Sequence, residues 1–295
     1  VSVSLQLAGH EKDLGGGFTV RRLLPALQRR AVGPFVFFDH FGPITVAPSD
    51  QFDVRPHPHI GLATVTYLFE GAMLHRDSLG SVQQIEPGAI NWMTAGRGIV
   101  HSERRPEALA ASSHVNHGIQ LWAALPLAHE ETEPAFAHTP AAAIPQVVEG
   151  GATVRVLIGA AFGQTSPVAT FAPTLYLDVQ LAPGATLELL PLAPEMAVYA
   201  VDGGLHIAGE AVAAHTLAVL APGGAVRLQA PARQGVRLVV IGGDALDAPR
   251  HIWWNFVSSR KQRIVQAAGD WEHQRMGQVP GDHEWIALPE RRFRP

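Results

Sequence analysis

The chain contains no cysteine. Disulfides, thiolate ligands and iron–sulfur clusters are therefore excluded, and any redox chemistry must belong to a bound metal. Charge is also scarce: charged residues make up 16% of the 295, the formal net charge is −4 and the sequence pI is near 6.4. That leaves no basic footprint for nucleic acid, so direct nucleic-acid binding is not expected. The basic tail Arg291-Arg292-Phe293-Arg294 reads as an ordinary solvated terminus. No apolar run reaches the ~18 residues that suggest a membrane-spanning helix, and no basic segment leads into an apolar one as in a secretory leader. The expectation is a cytoplasmic protein without membrane association.

What the chain does have is 29 glycines and 23 prolines, spaced between short runs of β-branched and aromatic residues. This punctuation suits a turn-rich β protein better than a helical one. The length allows two domains, each able to build its own core.

The stretch from Arg55 to Glu103 is the most informative. It opens with His57-Pro58-His59 and closes with His101-Ser102-Glu103, after the glycine corner Ala95-Gly96-Arg97-Gly98. Alternate residues of a strand point to one face, so each pair would point together. If both strands line one barrel, three imidazoles and a carboxylate converge on one point. One His-x-His among 15 histidines arises easily by chance; a second pair on a separate strand makes the metal reading much stronger. Imidazole and carboxylate suit iron, manganese, nickel, copper or zinc, and the ligand types alone do not choose among them. If the strand stays regular past His59, then Gly61, Ala63 and Val65 lie on the imidazole face and leave room there. His75, read as having no partner at i+2, is taken as a non-ligand. Asp39 and His40 are taken to tie down a loop.

His57-Pro58-His59-Ile60-Gly61-Leu62-Ala63-Thr64-Val65-Thr66-Tyr67 followed by Trp92-Met93-Thr94-Ala95-Gly96-Arg97-Gly98-Ile99-Val100-His101-Ser102-Glu103 resembles the pirin family of the cupin superfamily. Phe38-Asp39-His40-Phe41-Gly42, Trp254-Asn255-Phe256-Val257-Ser258-Ser259-Arg260 and Val279-Pro280-Gly281-Asp282 extend the likeness over nearly the whole chain. The resemblance implies an all-β protein with two tandem cupin (jelly-roll type) β-barrels. It also implies one divalent metal, expected as iron(II), in the first barrel only, held by His57, His59, His101 and Glu103. Manganese, nickel, copper and zinc are the alternatives. Many cupins place a ligand carboxylate shortly after the His-x-His pair, where this chain has Ala63 or Thr64, so Glu103 is the one acidic ligand.

Along the chain, residues 1–125 are expected to form the metal-binding barrel. Val1, Val3, Leu5, Leu7, Phe18 and Val20 suggest two N-terminal strands around a Gly15-Gly16-Gly17 turn. Residues 126–147 are acidic and proline-rich, with no apolar period, and read as a linker without strands. Residues 148–295 read as a second, metal-free barrel with a C-terminal helix. In that helix Ile264, Ala268 and Trp271 share a face, Ser258 or Ser259 is the N-cap candidate, and the element is expected to pack on a barrel.

The functional expectation that follows from the resemblance is a quercetin 2,3-dioxygenase-like enzyme. Such an enzyme cleaves the central ring of a flavonol or related polyphenol with O2 and releases carbon monoxide, and here Glu103 would be both metal ligand and acceptor of the substrate proton. The alternative, also from the resemblance, is a non-enzymatic iron-binding regulator or redox sensor acting through a protein partner, which the sequence does not identify. A closed structural zinc site is a third reading.

Overall fold

The structure, a computed structural model, describes residues 2–14 and 18–294; Val1 and the Gly15-Gly16-Gly17 turn lie outside the described residues. It is an all-β protein of two cupin barrels with a short C-terminal α-helix, Lys261–Glu272. The chain forms two compact units whose segments interleave. One comprises Val1–Glu11, Arg21–Phe38 and Ala142–Ala245; the other comprises Lys12–Val20, Asp39–Ala141 and Leu246–Pro295.

The first unit holds a seven-stranded sheet in the order 3–7, 217–220, 195–200, 236–243, 174–181, 152–158, 146–149, and a four-stranded sheet in the order 186–189, 226–229, 205–207, 210–212. The N-terminal strand Val3–Leu7 pairs antiparallel with Leu217–Leu220, burying Val3 and Leu7 with Leu5 half-buried, while Ser4 and Gln6 are exposed. The central strands Thr174–Leu181 and Val236–Gly243 are buried almost throughout. They contribute Leu177, Val179, Leu238 and Val240 to one core, each side chain stabilising by about 1.5–3 kcal/mol through loss of water contact.

In the second unit a four-stranded sheet runs in the order 54–59, 99–104, 73–77, 82–85. Strand Leu62–Glu70 lies between Ile90–Thr94 and His114–Ala124 in another sheet. Phe18, Val20, Phe41, Phe52, Leu68 and Ile85 pack together within this unit. The 126–147 stretch is more ordered than expected. Strand Ala135–Thr139 pairs with Ile90–Thr94, although its sequence carries no apolar alternation, because only Phe136 among its residues is a large hydrophobe.

Gly61 is where the chain leaves one sheet for the other. It adopts φ +70°, and a Cβ there would collide with the Val257 carbonyl. Its N–H donates to the Gly96 carbonyl at 2.8 Å, so the corner after the His57–His59 strand is tied to the corner that leads into the His101–Glu103 strand. Gly96 is likewise left-handed, at φ +51°, a conformation glycine adopts without steric penalty.

The C-terminal helix buries Ile264, Ala267 and Trp271 against Ile60, Val100 and Phe256. It therefore docks on the unit that carries the His-x-His strands. Ile264 and Trp271 lie on the buried face as expected; Ala267 is buried beside them, and Ala268 packs against the same cluster partly buried. Neither serine is the N-cap: Arg260 occupies that position without a side-chain cap. Ser259 is held instead by Glu130, whose carboxylate accepts from its N–H at 2.8 Å and its hydroxyl at 2.7 Å. Trp271 also donates its indole N–H to the Ile286 carbonyl at 2.8 Å. Trp271→Ala is expected to destabilise the protein by about 3–5 kcal/mol, the range for truncating a buried aromatic, read as a lowered midpoint in urea unfolding.

Candidate metal centre

The two strands that carry the candidate ligands are antiparallel neighbours, with His57 opposite His101 and Pro58 opposite Val100. Because side chains alternate in a strand, His57, His59, His101 and Glu103 all emerge on the inner face. The three histidines each offer a ring nitrogen such that all three atoms lie within 4.8 Å of one another, and all three residues are buried. This is the one such cluster found among the described residues.

Their protonation suits a cation. His57 Nδ1 lies 2.8 Å from the Arg55 carbonyl and His59 Nδ1 lies 3.0 Å from the Asn255 carbonyl. A carbonyl only accepts, so both Nδ1 atoms carry the proton and both Nε2 atoms present lone pairs. His59 Nε2 and His101 Nε2 face each other at 3.2 Å. Burial drives the His57 imidazole down to about 4, with the Arg55 hydrogen bond opposing and His75 adding to the effect. Burial, then the neighbouring rings, pushes His59 and His101 well below the usual imidazole value. Neutral imidazoles are the form in which histidine binds metals, so the residues present fit a divalent ion.

Glu103 stands beside this cluster rather than in it, since no carboxylate oxygen joins the three nitrogens within that 4.8 Å limit. Its Oε1 accepts from Gln120 Nε2 at 2.6 Å. Burial pushes its carboxyl up to about 7, against the opposing hydrogen bonds of Gln120 and Thr66. Glu103 is therefore able to exchange a proton near neutral pH.

The walls differ from the expectation in phase. The left-handed turn at Gly61 and the change of sheet reverse the alternation, so Thr66 reaches Glu103 and its ladder partner Gln120 does the same. Trp122, paired with Thr64, sets its ring edge-on to His59 with centroids 5.1 Å apart. Thr64 and Thr66 thus occupy the face expected for Ala63 and Val65. Gln120 and Trp122 carried no local signal, because their role follows from long-range strand pairing.

His75 does have a partner at i+2, Asp77, contrary to the reason for which it was set aside as a ligand. His75 Nε2 is 2.8 Å from Asp77 Oδ2, and His75 Nδ1 is 3.4 Å from His101 Nδ1. His75 is not among the three clustered rings, yet it lies directly behind one of them. Asp39 and His40 are buried and lie outside the cluster; His40 Nε2 meets His117 Nε2 at 2.8 Å.

Two cupin barrels, one enclosing a histidine cluster with a carboxylate beside it, define a bicupin with a metal-ready site. Residues 17–123 match the family model described as Pirin, and residues 176–277 match the Pirin C-terminal cupin domain. A pirin-like protein of Caulobacter vibrioides is 45% identical over 292 residues, covering 98% of this chain and all of the relative. Human pirin is 34% identical over 281 residues, covering 93% of each chain. The crystal structure of a quercetin 2,3-dioxygenase from Acinetobacter baumannii superposes with a TM-score of 0.89 at 34% identity, covering 99% of this chain and 95% of that one. The chain belongs to the pirin family.

Proposed function

We propose that this pirin is a metal-dependent dioxygenase that opens the central ring of a flavonol or related polyphenol with O2, releasing carbon monoxide, in the manner of quercetin 2,3-dioxygenases. The observation that carries the reading is the pairing of a buried, neutral three-imidazole cluster with an adjacent carboxyl held near a pKa of about 7. His57, His59 and His101 would hold the ion with Glu103 completing the set, and iron(II) is the ion proposed. When bound, such an ion supplies Lewis-acid binding of an acidic hydroxyl and a centre for O2 chemistry.

The remaining work falls to the chain. Glu103 takes the proton from the flavonol hydroxyl, a transfer favoured when donor and acceptor pKa values lie near the working pH. Gln120, donating to Oε1, and Thr66, which also hydrogen-bonds the carboxylate, fix its orientation for that transfer. Trp122 and Thr64 border the His59 side of the site and exclude water from it. The Acinetobacter structure named for the same reaction supports the substrate class.

The test is O2 uptake and flavonol loss by iron-loaded protein, with headspace carbon monoxide as the product signature. Glu103→Gln is expected to lower kcat by about 10²–10⁴-fold, the usual worth of a positioned base. Full turnover in that variant would remove Glu103 from the role. Absence of O2 uptake with every polyphenol offered to fully loaded wild type would overturn the enzymatic reading.

A further inference from the structure

Behind His101 lies a chain of groups that the reaction does not use directly. Strand Met73–Asp77 pairs with Ile99–Arg104 so that Asp77 is opposite His101 and His75 is opposite Glu103. All four side chains consequently share the inner face. Asp77 is fully buried, and its Oδ1 accepts from the Leu79 and Ser81 N–H groups at 2.9 and 3.0 Å. Its Oδ2 is left for His75 Nε2 at 2.8 Å. Burial alone would raise the Asp77 carboxyl, but the bonds from His75 and Ser81 outweigh it and hold the group below its usual value. The His75 ring is clamped from the side by Phe136, stacked at 4.1 Å and 12°.

These contacts determine where each ring proton sits. An ionised carboxylate only accepts, so His75 carries its proton on Nε2. With its Nε2 hydrogen committed to Asp77, His75 turns Nδ1 toward His101 Nδ1, 3.4 Å away, and the contact is completed with His101 as the donor. That leaves the His101 lone pair on Nε2, the atom that faces His59 Nε2. His57 and His59 are set in the same tautomer by backbone carbonyls; His101 alone is set by a side-chain chain that ends in a carboxylate.

We infer that Asp77 and His75 are positioning residues for the metal: together they orient His101, fix its tautomer and increase the electron donation of its Nε2. Carboxylate–histidine pairs behind a metal ligand generally affect affinity by 10–100-fold. The inference rests on the metal-centre reading above and adds to it two residues that touch neither ion nor substrate.

Zinc(II) is the probe, because it is diamagnetic and takes the same ligand types. Asp77→Asn is the decisive variant. The asparagine carbonyl can keep the turn bonds from Leu79 and Ser81 while its NH2 faces His75 Nε2, forcing the His75 proton to Nδ1 and removing the acceptor for His101. Zinc affinity, measured by chelator competition, is expected to fall about 10–100-fold in Asp77→Asn and in His75→Leu. His75→Asn, which places a carbonyl oxygen where Nδ1 was, is expected to recover most of the loss. Ring ¹⁵N shifts of zinc-loaded wild type should show His75 as the Nε2–H tautomer and His101 as Nδ1–H. Wild-type affinity in both Asp77→Asn and His75→Leu, or a Nδ1–H tautomer for His75, overturns the inference while leaving the metal centre standing. Failure of wild type to bind zinc, iron, manganese, nickel or copper overturns both.

Discussion

Replacing His57 and His101 together with alanine is expected to abolish both metal retention and flavonol consumption. Dividing an apparent metal-binding free energy of ~10–16 kcal/mol over four ligands gives roughly 3 kcal/mol each. Losing two ligands then costs about 6 kcal/mol, or about four orders of magnitude in affinity. The fold should survive, because the strands are held by ladder bonds on both sides of His101. Metal analysis after dialysis and O2 uptake under added iron give the two readouts. Turnover that persists in a folded, metal-free double variant would place the chemistry elsewhere in the molecule.

The second large effect is on stability, and its sign follows from the same four residues. Metal-free protein should be most stable near pH 6.5 as far as this cluster is concerned. His57, His59 and His101 have folded values below the unfolded 6.5, so their contribution is intact above pH 6.5 and is lost as the pH falls and the unfolded chain takes up protons. For His57, with a folded value of about 4, the loss reaches about 3 kcal/mol at that pH. Glu103 has the opposite slope. Its carboxyl rises from 4.5 unfolded to about 7 folded, so its contribution is complete below pH 4.5 and is lost as the pH rises through 7. Three imidazoles act against one carboxyl between these limits, so the net stability falls as the pH drops on the acid side. Urea unfolding of chelator-treated protein from pH 5 to 8 measures it, and the His57→Ala, His101→Ala variant should flatten the profile. Parallel curves for the two proteins would contradict neutral burial of the rings.

The convergence of His57, His59 and His101, with Glu103 beside them, was legible because a strand's period of two turns His-x-His and His-x-Glu into statements about direction. The same period could have flagged His75 through Asp77, but its significance depends on strand 73–77 lying beside 99–104, and pairing between strands is not a local property. Thr64 and Thr66 were misplaced because one left-handed residue, Gly61, resets the phase. Strand Ala135–Thr139 escaped because an edge strand whose half-buried residues are Phe136, His138 and Thr139 shows no apolar rhythm. The apolar alternation at Val3–Leu7 marks a strand but says nothing of which sheet it completes.

The Asn255 carbonyl that steadies His59 arrives from a part of the chain 196 residues away. It is carried in by a short bridge between Ile60 and Phe256, and farther on Asp282 grips Arg104, the residue following Glu103, with two bonds of 2.8 and 2.9 Å to one guanidinium nitrogen. Possession of every candidate ligand is therefore not the same as possession of a working chelator. A fragment ending before residue 255 would keep all four candidate ligands and lose the brace on one of them, so during synthesis the cluster reaches its final geometry only once residue 255 and its neighbours have joined it.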